Sequence, residues 1–388
     1  MTGRSTFSEP TGDAEGVRHP NGKSTMKIFA SRRQRLVGWS VGGILLTLYI
    51  VAQALYSTGV YASWRDQQSL DSACGGTLAQ GGLDDALNSS QVRARAADDS
   101  EYLAACLINR PDTGRHGGAL QLMLRWSDQS AASEALAPFS RNANGVQGQA
   151  APLGNGWPGF VRYDGAAQVV VALDCQNNKN RALVAYGDLI QWPEDAKTKE
   201  PVLTGLGRVT TESARKAAAK YGCQAQGGRP LTHVSLPSPS GKTTPQQLTQ
   251  TRGSCVALRG LAGQASAAGT PDFVEYPADA HTPQVNCYLH TPAGKPGYGL
   301  YAYYGVVAKD FESVNSANRS DDHVLATATC PQSDQEAVFA LYHLYDRDTD
   351  SYPVRHYSAS FATSAVKAFA EHEAKLRGCT DVRMMSRS

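Results

Sequence analysis

The chain has 388 residues, 41% of them hydrophobic and 19% charged, and its 37 Lys plus Arg against 35 Asp plus Glu leave a net charge of +2. That length fits about two domains, and a balance so near zero excludes a strongly basic nucleic-acid binder. The moderate charged fraction beside so much apolar sequence also excludes wholesale disorder.

In chain order, residues 1–35 come first, with seven Lys/Arg against three Asp/Glu. Rich in Gly, Ser, Thr and Pro over 1–25, they read as a disordered basic tail. From Leu36 to Trp64 there is no charged residue, and the densest apolar part, Leu36 to Tyr56, is 21 residues long. About 20 helical residues cross a bilayer core, so a single transmembrane helix is expected over 36–60. Aromatics stand near both ends (Trp39; Tyr56, Tyr61, Trp64), as expected of headgroup-level side chains. Lys23, Lys27, Arg32, Arg33 and Arg35 before the run, against Arg65 beside Asp66 after it, predict a cytoplasmic N-terminus, open to a cytoplasmic partner, and an extracytoplasmic remainder. A cleaved signal peptide is the competing reading, with Val60-Tyr61-Ala62 as cleavage site and Met26 as start. The run exceeds the usual 7–15-residue signal core, which favours an uncleaved anchor.

All eight cysteines follow: Cys74, Cys106, Cys175, Cys223, Cys255, Cys287, Cys330 and Cys379. Their gaps are 32, 69 and 48 in the first four, then 32, 43 and 49 in the second four. Local sequence agrees. Cys106 is followed by Pro111 as Cys287 is by Pro292, VVVALDC ending at Cys175 parallels HVLATATC ending at Cys330, and the last Cys of each set follows Gly. A period this long is a duplicated domain, not a solenoid. The expected organisation is repeat 1 over 65–225, a Pro/Ser-rich linker over 226–254 and repeat 2 over 255–388. The excess of 26 residues in the first copy's middle gap marks an insertion within 127–160, with a short helical segment at Ala131–Leu136.

Each copy reads as a leading helix-like stretch (Thr77–Ala97; Leu258–Ala268) and a strand pair (Ala104–Asn109 with Leu120–Trp126; Val285–His290 with Leu300–Val307). A second pair follows (Val169–Asp174 with Ala182–Leu189; Val324–Thr329 with Ala337–Tyr345), then a closing helix. In the first copy Thr210 is the expected N-cap, with Glu212 in the first turn. In the second, Val366, Phe369, Ala370 and Leu376 form the apolar stripe, with His372 and Lys375 outside. The fold class is α+β: two tandem extracytoplasmic domains after the span, each an antiparallel sheet with helices on one face. No Cys-x-x-Cys occurs, so metal and redox motifs are not indicated, and two disulfides per copy are expected outside the cytoplasm. First with second and third with fourth is the favoured pairing.

Motifs that tempt a catalytic reading fail on their surroundings. Gly241-Lys242-Thr243 lacks the upstream Gly and strand of a phosphate loop. Asp346, Asp348 and Asp350 alternate as in a calcium loop, but Ser351 and Tyr357 stand where Gly and Glu belong, so an acidic turn is expected. Ser213-Ala-Arg-Lys216 and Ser364-Ala-Val-Lys367 match Ser-x-x-Lys, yet Ser313-Val-Asn315 precedes no Lys-Thr-Gly, so both read as surface helix. His372 lies between Glu371 and Glu373 on a charged face. No catalytic residue, metal or cofactor is expected. The run Gly297 to Gly305 carries Tyr298, Tyr301, Tyr303 and Tyr304, a candidate partner face because tyrosines are enriched at interfaces.

Arg outnumbers Lys 25 to 12 and only five Ile occur. With the basic tail, the apolar run and segments such as Cys74-Gly-Gly-Thr-Leu before the Cys106 strand, the chain resembles the single-pass, Cys-stapled cell-envelope proteins of high-GC actinobacteria. It departs from their lipoproteins in having no Cys directly after the apolar run. The resemblance implies a cell-membrane location only. The function expected is a non-enzymatic, membrane-anchored adaptor docking a protein or wall component. The alternatives are a tethered hydrolase-like enzyme and a structural subunit of an envelope assembly.

Overall fold

The computed structural model describes residues 44–54 and, from 60 to 385, all but segments 98–100, 112–116, 129–148, 164–165, 179–180, 235–243 and 310–322 and positions 195, 197, 278 and 332. The chain divides into two units, Met1–Tyr61 and Ala62–Ser388.

In the first unit, residues 44–54 are helical, with Ile44, Leu46 and Tyr49 about 60% exposed. The far end of the uncharged run opens a different helix, α1 (Val60–Gly76), which carries Arg65, Asp66 and Asp71 and runs into the second unit. Among the described residues no helix is long and apolar enough to cross a membrane. The span expected at 36–60 is therefore corrected, and with it the cell-membrane location and the N-inside orientation. The tail at 1–35 lies outside the described residues.

The second unit contains two seven-stranded sheets, antiparallel in every pairing. The first is ordered β1-β2-β3-β7-β6-β5-β4, from β1 (Arg93–Ala96), β2 (Ala104–Asn109), β3 (Ala119–Trp126), β4 (Gln149–Pro152), β5 (Gly159–Tyr163), β6 (Ala167–Asp174) and β7 (Ala182–Gln191). The second is β14-β12-β13-β11-β10-β9-β8, from β8 (Gln246–Gln247), β9 (Asp272–Glu275), β10 (Gln284–His290), β11 (Pro296–Tyr303), β12 (His323–Thr329), β13 (Ala337–His343) and β14 (Thr380–Met384). The order β1-β2-β3-β7-β6 recurs as β9-β10-β11-β13-β12, so the duplication is one of topology. At the edge beyond the repeated strands the copies differ. The inserted β4–β5 hairpin lies beyond β6, whereas the C-terminal β14 takes the same place beyond β12.

The disulfides are Cys74–Cys106, Cys175–Cys223, Cys255–Cys287 and Cys330–Cys379, as the sequence pairing anticipates. In each copy the first ties the segment before the leading turns to the second strand. The second ties the turn of the last hairpin, directly after β6 or β12, to the end of the closing helix.

Those helices, α3 (Lys199–Lys220) and α5 (Ala359–Arg377), cover one face of each sheet. Two details of them depart from expectation. α3 starts about three turns earlier than Thr210, which lies mid-helix, fully buried, its hydroxyl donating to Leu206 O at 2.8 Å. Gly205, Gly207 and Thr211 are poor helix formers, but Val202, Leu203, Leu206 and Val209 bury against the sheet and tertiary packing decides. On α5, Val366, Phe369 and Ala370 are buried as expected while Leu376 is 48% exposed. Glu373 and Arg377 take the inward positions instead. Seven and eleven residues after Val366 they stay on its face, whereas an offset of ten turns Leu376 away. The leading stretch at Thr77–Ala97 resolves into α2 (Leu83–Leu87) and the strand β1. Its counterpart holds a 3₁₀ segment, Val256–Leu261, followed by α4 (Ala262–Ala267).

The other face of each sheet packs against the other copy. Phe160, Val170, Ala182 and Val184 from the first copy form one cluster with Val274, Tyr288, Tyr301, Tyr303, Val338, Ala340 and Tyr342 from the second. Alternation along β13 is the period-2 rule at work: Ala337, Phe339 and Leu341 face α5 while Val338, Ala340 and Tyr342 face the other sheet. The result is four layers: helix, sheet, sheet, helix.

Residues 226–234 of the expected linker are built into the first copy. Leu231 and Val234 join its core, and Trp157 Nε1 donates to Arg229 O at 2.7 Å. Segment 235–243, with the Gly241-Lys242-Thr243 motif, lies outside the described residues, as do Ala131–Leu136, Ser313 and Asn315.

Candidate functional site

The tyrosines singled out as a partner face are interior. Tyr298, Tyr301 and Tyr303 are fully buried and Tyr304 is 9% exposed. Tyr301 and Tyr303 stack at 6.0 Å in the layer between the sheets, so the surface they meet is the first copy of this same chain. Tyr298 lies under α5 and its hydroxyl accepts the Ser358 N–H at 3.1 Å. Tyr304 donates to Glu373 Oε2 at 3.1 Å beneath the Arg377 guanidinium, 3.7 Å above its ring. Arg377 in turn donates to Ala280 O and Asp279 O at 2.6 and 2.9 Å. Burial pushes the Glu373 carboxyl upward even against the neighbouring Arg377 charge. This network braces α5 against the sheet.

The remaining motif residues also have structural occupations. Ser213 Oγ accepts the Ala79 N–H at 2.8 Å and Lys216 donates to Leu78 O at 2.8 Å, tying α3 to the leading turns. Ser364 donates to Ser360 O within its helix, and Lys367 pairs with Glu371 at 4.0 Å. His372 and Lys375 are exposed. Asp346 is 2% exposed, with Lys295 Nζ 3.2 Å away and the Asp348 N–H on its other oxygen at 3.0 Å. A lysine ammonium thus stands where a calcium ion would draw that carboxylate. Among the described residues no group of three or more His, Cys, Asp or Glu could hold a metal ion.

A surface hollow of about 640 Å³ lies at the β8 end of the second sheet, lined by Gln246, Thr249, Gln250, Arg252, Arg259 and Glu275. Arg252 enters it from the turn Thr251-Arg-Gly-Ser-Cys255, which is held from three sides. Cys255 is bonded to Cys287 on β10. Ser254 donates from its hydroxyl to Asn286 O and accepts the Tyr276 N–H at 3.2 Å. Gly253 passes so close to the strand that a Cβ there would stand 2.8 Å from Tyr276 O. The Glu275 carboxylate is taken up by this turn, accepting the Arg252 N–H at 2.8 Å and the Cys255 N–H at 3.2 Å. Neither guanidinium is paired with it. Arg259 reaches the carbonyl of Thr251, and the Arg252 side chain bonds to none of the described residues. The hollow presents two exposed cations and several amide and hydroxyl groups on a backbone that cannot swing away. Such a set recognises negative charge by direct hydrogen bonding.

Sequence reading missed this site. A signal was present in the repeat itself. Three residues before and four after the first Cys of each copy stand Asp71 and Leu78 in one, Arg252 and Arg259 in the other. Asp71 on α1 accepts from Gln80 at 2.8 Å and Leu78 is buried, so the first copy carries a helix carboxylate and a core residue where the second carries cations.

Comparison of the chain with protein-family models, with curated proteins and with solved structures finds no match.

Proposed function

We propose that this protein acts by binding rather than by chemistry: a rigid, disulfide-stapled module of an oxidising compartment that docks a protein or wall component on its outer surface. The observation that carries the reading is the hollow at Arg252 and Arg259, where two guanidiniums with no carboxylate partner among the described residues stand beside a turn fixed by a disulfide. Four disulfides suit an oxidising environment. Preorganisation of the turn lowers the ordering cost of association. The lining serves recognition, since its one carboxylate is already held by two backbone N–H groups. Arrays of peptides and of acidic and neutral glycans, probed with the intact protein, test the proposal. The expected result is retention on at least one negatively charged class, reduced at least tenfold by Arg252→Ala with Arg259→Ala, at unchanged melting temperature. Equal retention of the wild type and the double variant would overturn it.

A further inference from the structure

We infer that the hollow takes an extended acidic peptide segment, laid along the free side of β8 as an added strand. The inference rests on the binding reading above and narrows it to one ligand chemistry. β8 ends its sheet, and among the described residues Gln246 and Gln247 pair only with β9, through Phe273 and Asp272. An edge leaves one row of backbone donors and acceptors open, and such rows accept extended peptides by continuing the ladder. The same strand supplies Gln246 to the hollow, and the 3₁₀ turn directly after it, Leu248–Gln250, supplies Thr249 and Gln250. A chain paired with β8 therefore runs past the mouth of the hollow.

What it must carry there follows from charge. Arg252 and Arg259 are exposed, Arg259 is anchored to Thr251 O, and Glu275 is engaged by backbone N–H groups, leaving an unmatched positive pair. Carboxylates match a guanidinium fork in two-point geometry. Alternate residues of an added strand point to the same side about two rises, roughly 7 Å, apart. Acidic residues at every second position therefore meet the arginines in turn. The short β8 supplies few ladder bonds, so charge pairing carries much of the affinity, and binding weakens steeply with salt.

The probes are a ten-residue peptide alternating Glu and Val, the same peptide with Gln for Glu, and inorganic phosphate, each titrated into the full chain. The Glu peptide should bind at least tenfold more tightly than the Gln peptide. Arg252→Ala, which removes no side-chain bond among the described residues, should erase most of that difference. Amide hydrogen exchange at Gln247, whose N–H faces away from β9 while Gln246 is paired with Phe273, should slow on binding. Binding of the Glu peptide without protection at that amide would overturn strand addition. Phosphate displacing the peptide completely at equal concentration would do the same, showing a simple anion site. If the Glu peptide fails while another array ligand is lost in the double arginine variant, this inference falls and the binding proposal stands. If no ligand depends on the arginines, both fall.

Discussion

Asp174 ends β6 in the first copy, and a Cβ on Gly305 of the second copy would lie 3.0 Å from its Oδ2. The residue as a whole is exposed, but its carboxyl group, set against the other copy, is pushed up to about 6 by desolvation. An acid whose folded value is raised favours the protonated form in the native state. Its penalty is absent below the ordinary range near 3.8 and grows as pH rises through about 6. Asp174→Asn should match the wild type in denaturant unfolding at pH 3.5. At pH 7 it should be more stable by up to about 1 kcal/mol, a figure discounted for the residue's exposure. A variant less stable than the wild type at pH 7 would show that the carboxylate is held by a favourable contact instead.

Two elements of this fold meet closely where Gly205 has no side chain. Gly205 of α3 faces α2, and a Cβ there would stand 2.4 Å from Ala86 N and 2.5 Å from Gly82 O. Backbone cannot yield as a flexible side chain can. The helix-propensity gain of about 1 kcal/mol that Ala brings is therefore outweighed, and Gly205→Ala should lower stability by about 1–3 kcal/mol. Gly263 of α4 has nothing within 4 Å of its would-be Cβ, so Gly263→Ala should be neutral or stabilising by up to about 1 kcal/mol. Thermal melts of the two variants side by side test the claim, and a stabilised Gly205→Ala would refute the close approach. The same contact explains why the start of α3 was illegible: its glycines and threonines serve packing at the expense of propensity.

Over the whole second unit, the layer between the sheets decides whether the copies behave as two domains or one. Each has its own core cluster and its own two disulfides. Yet separating them would expose Tyr288, Tyr301, Tyr303 and Tyr342 together, a patch of the kind that soluble monomers rarely show. With a specific protease site placed between 234 and 244, cleavage should leave the two halves eluting together in gel filtration. Tyr301→Ala should cost about 3–5 kcal/mol and let the cleaved halves separate. Cleaved halves that part at once with Tyr301 in place would show that the shared layer adds little.

The amino-acid sequence by itself determined the duplication, the four cysteines of each copy and the eight strands whose apolar runs lie between turn signals, because cysteine spacing and side-chain alternation are local properties of a chain. It favoured one disulfide pairing, which the structure decided. It also held a trace of the double layer. VVVALDC and AVFALYHL are nearly continuous apolar runs, and strands covered on both faces read that way. The strands β1, β4, β5, β8, β9 and β14 were not legible, being short or polar and existing only because a neighbour offers a ladder. Tertiary structure decided what covers the second face of each sheet, turning a Tyr-rich run from a candidate outer surface into the inner seam. It placed Glu373 and Arg377 under α5 and sent Leu376 outward, because helical angle outranks hydrophobicity. It also gathered Gln246, Arg252, Arg259 and Glu275 around one hollow, a convergence of an edge strand, a disulfide-held turn and a 3₁₀ segment that only three-dimensional proximity creates.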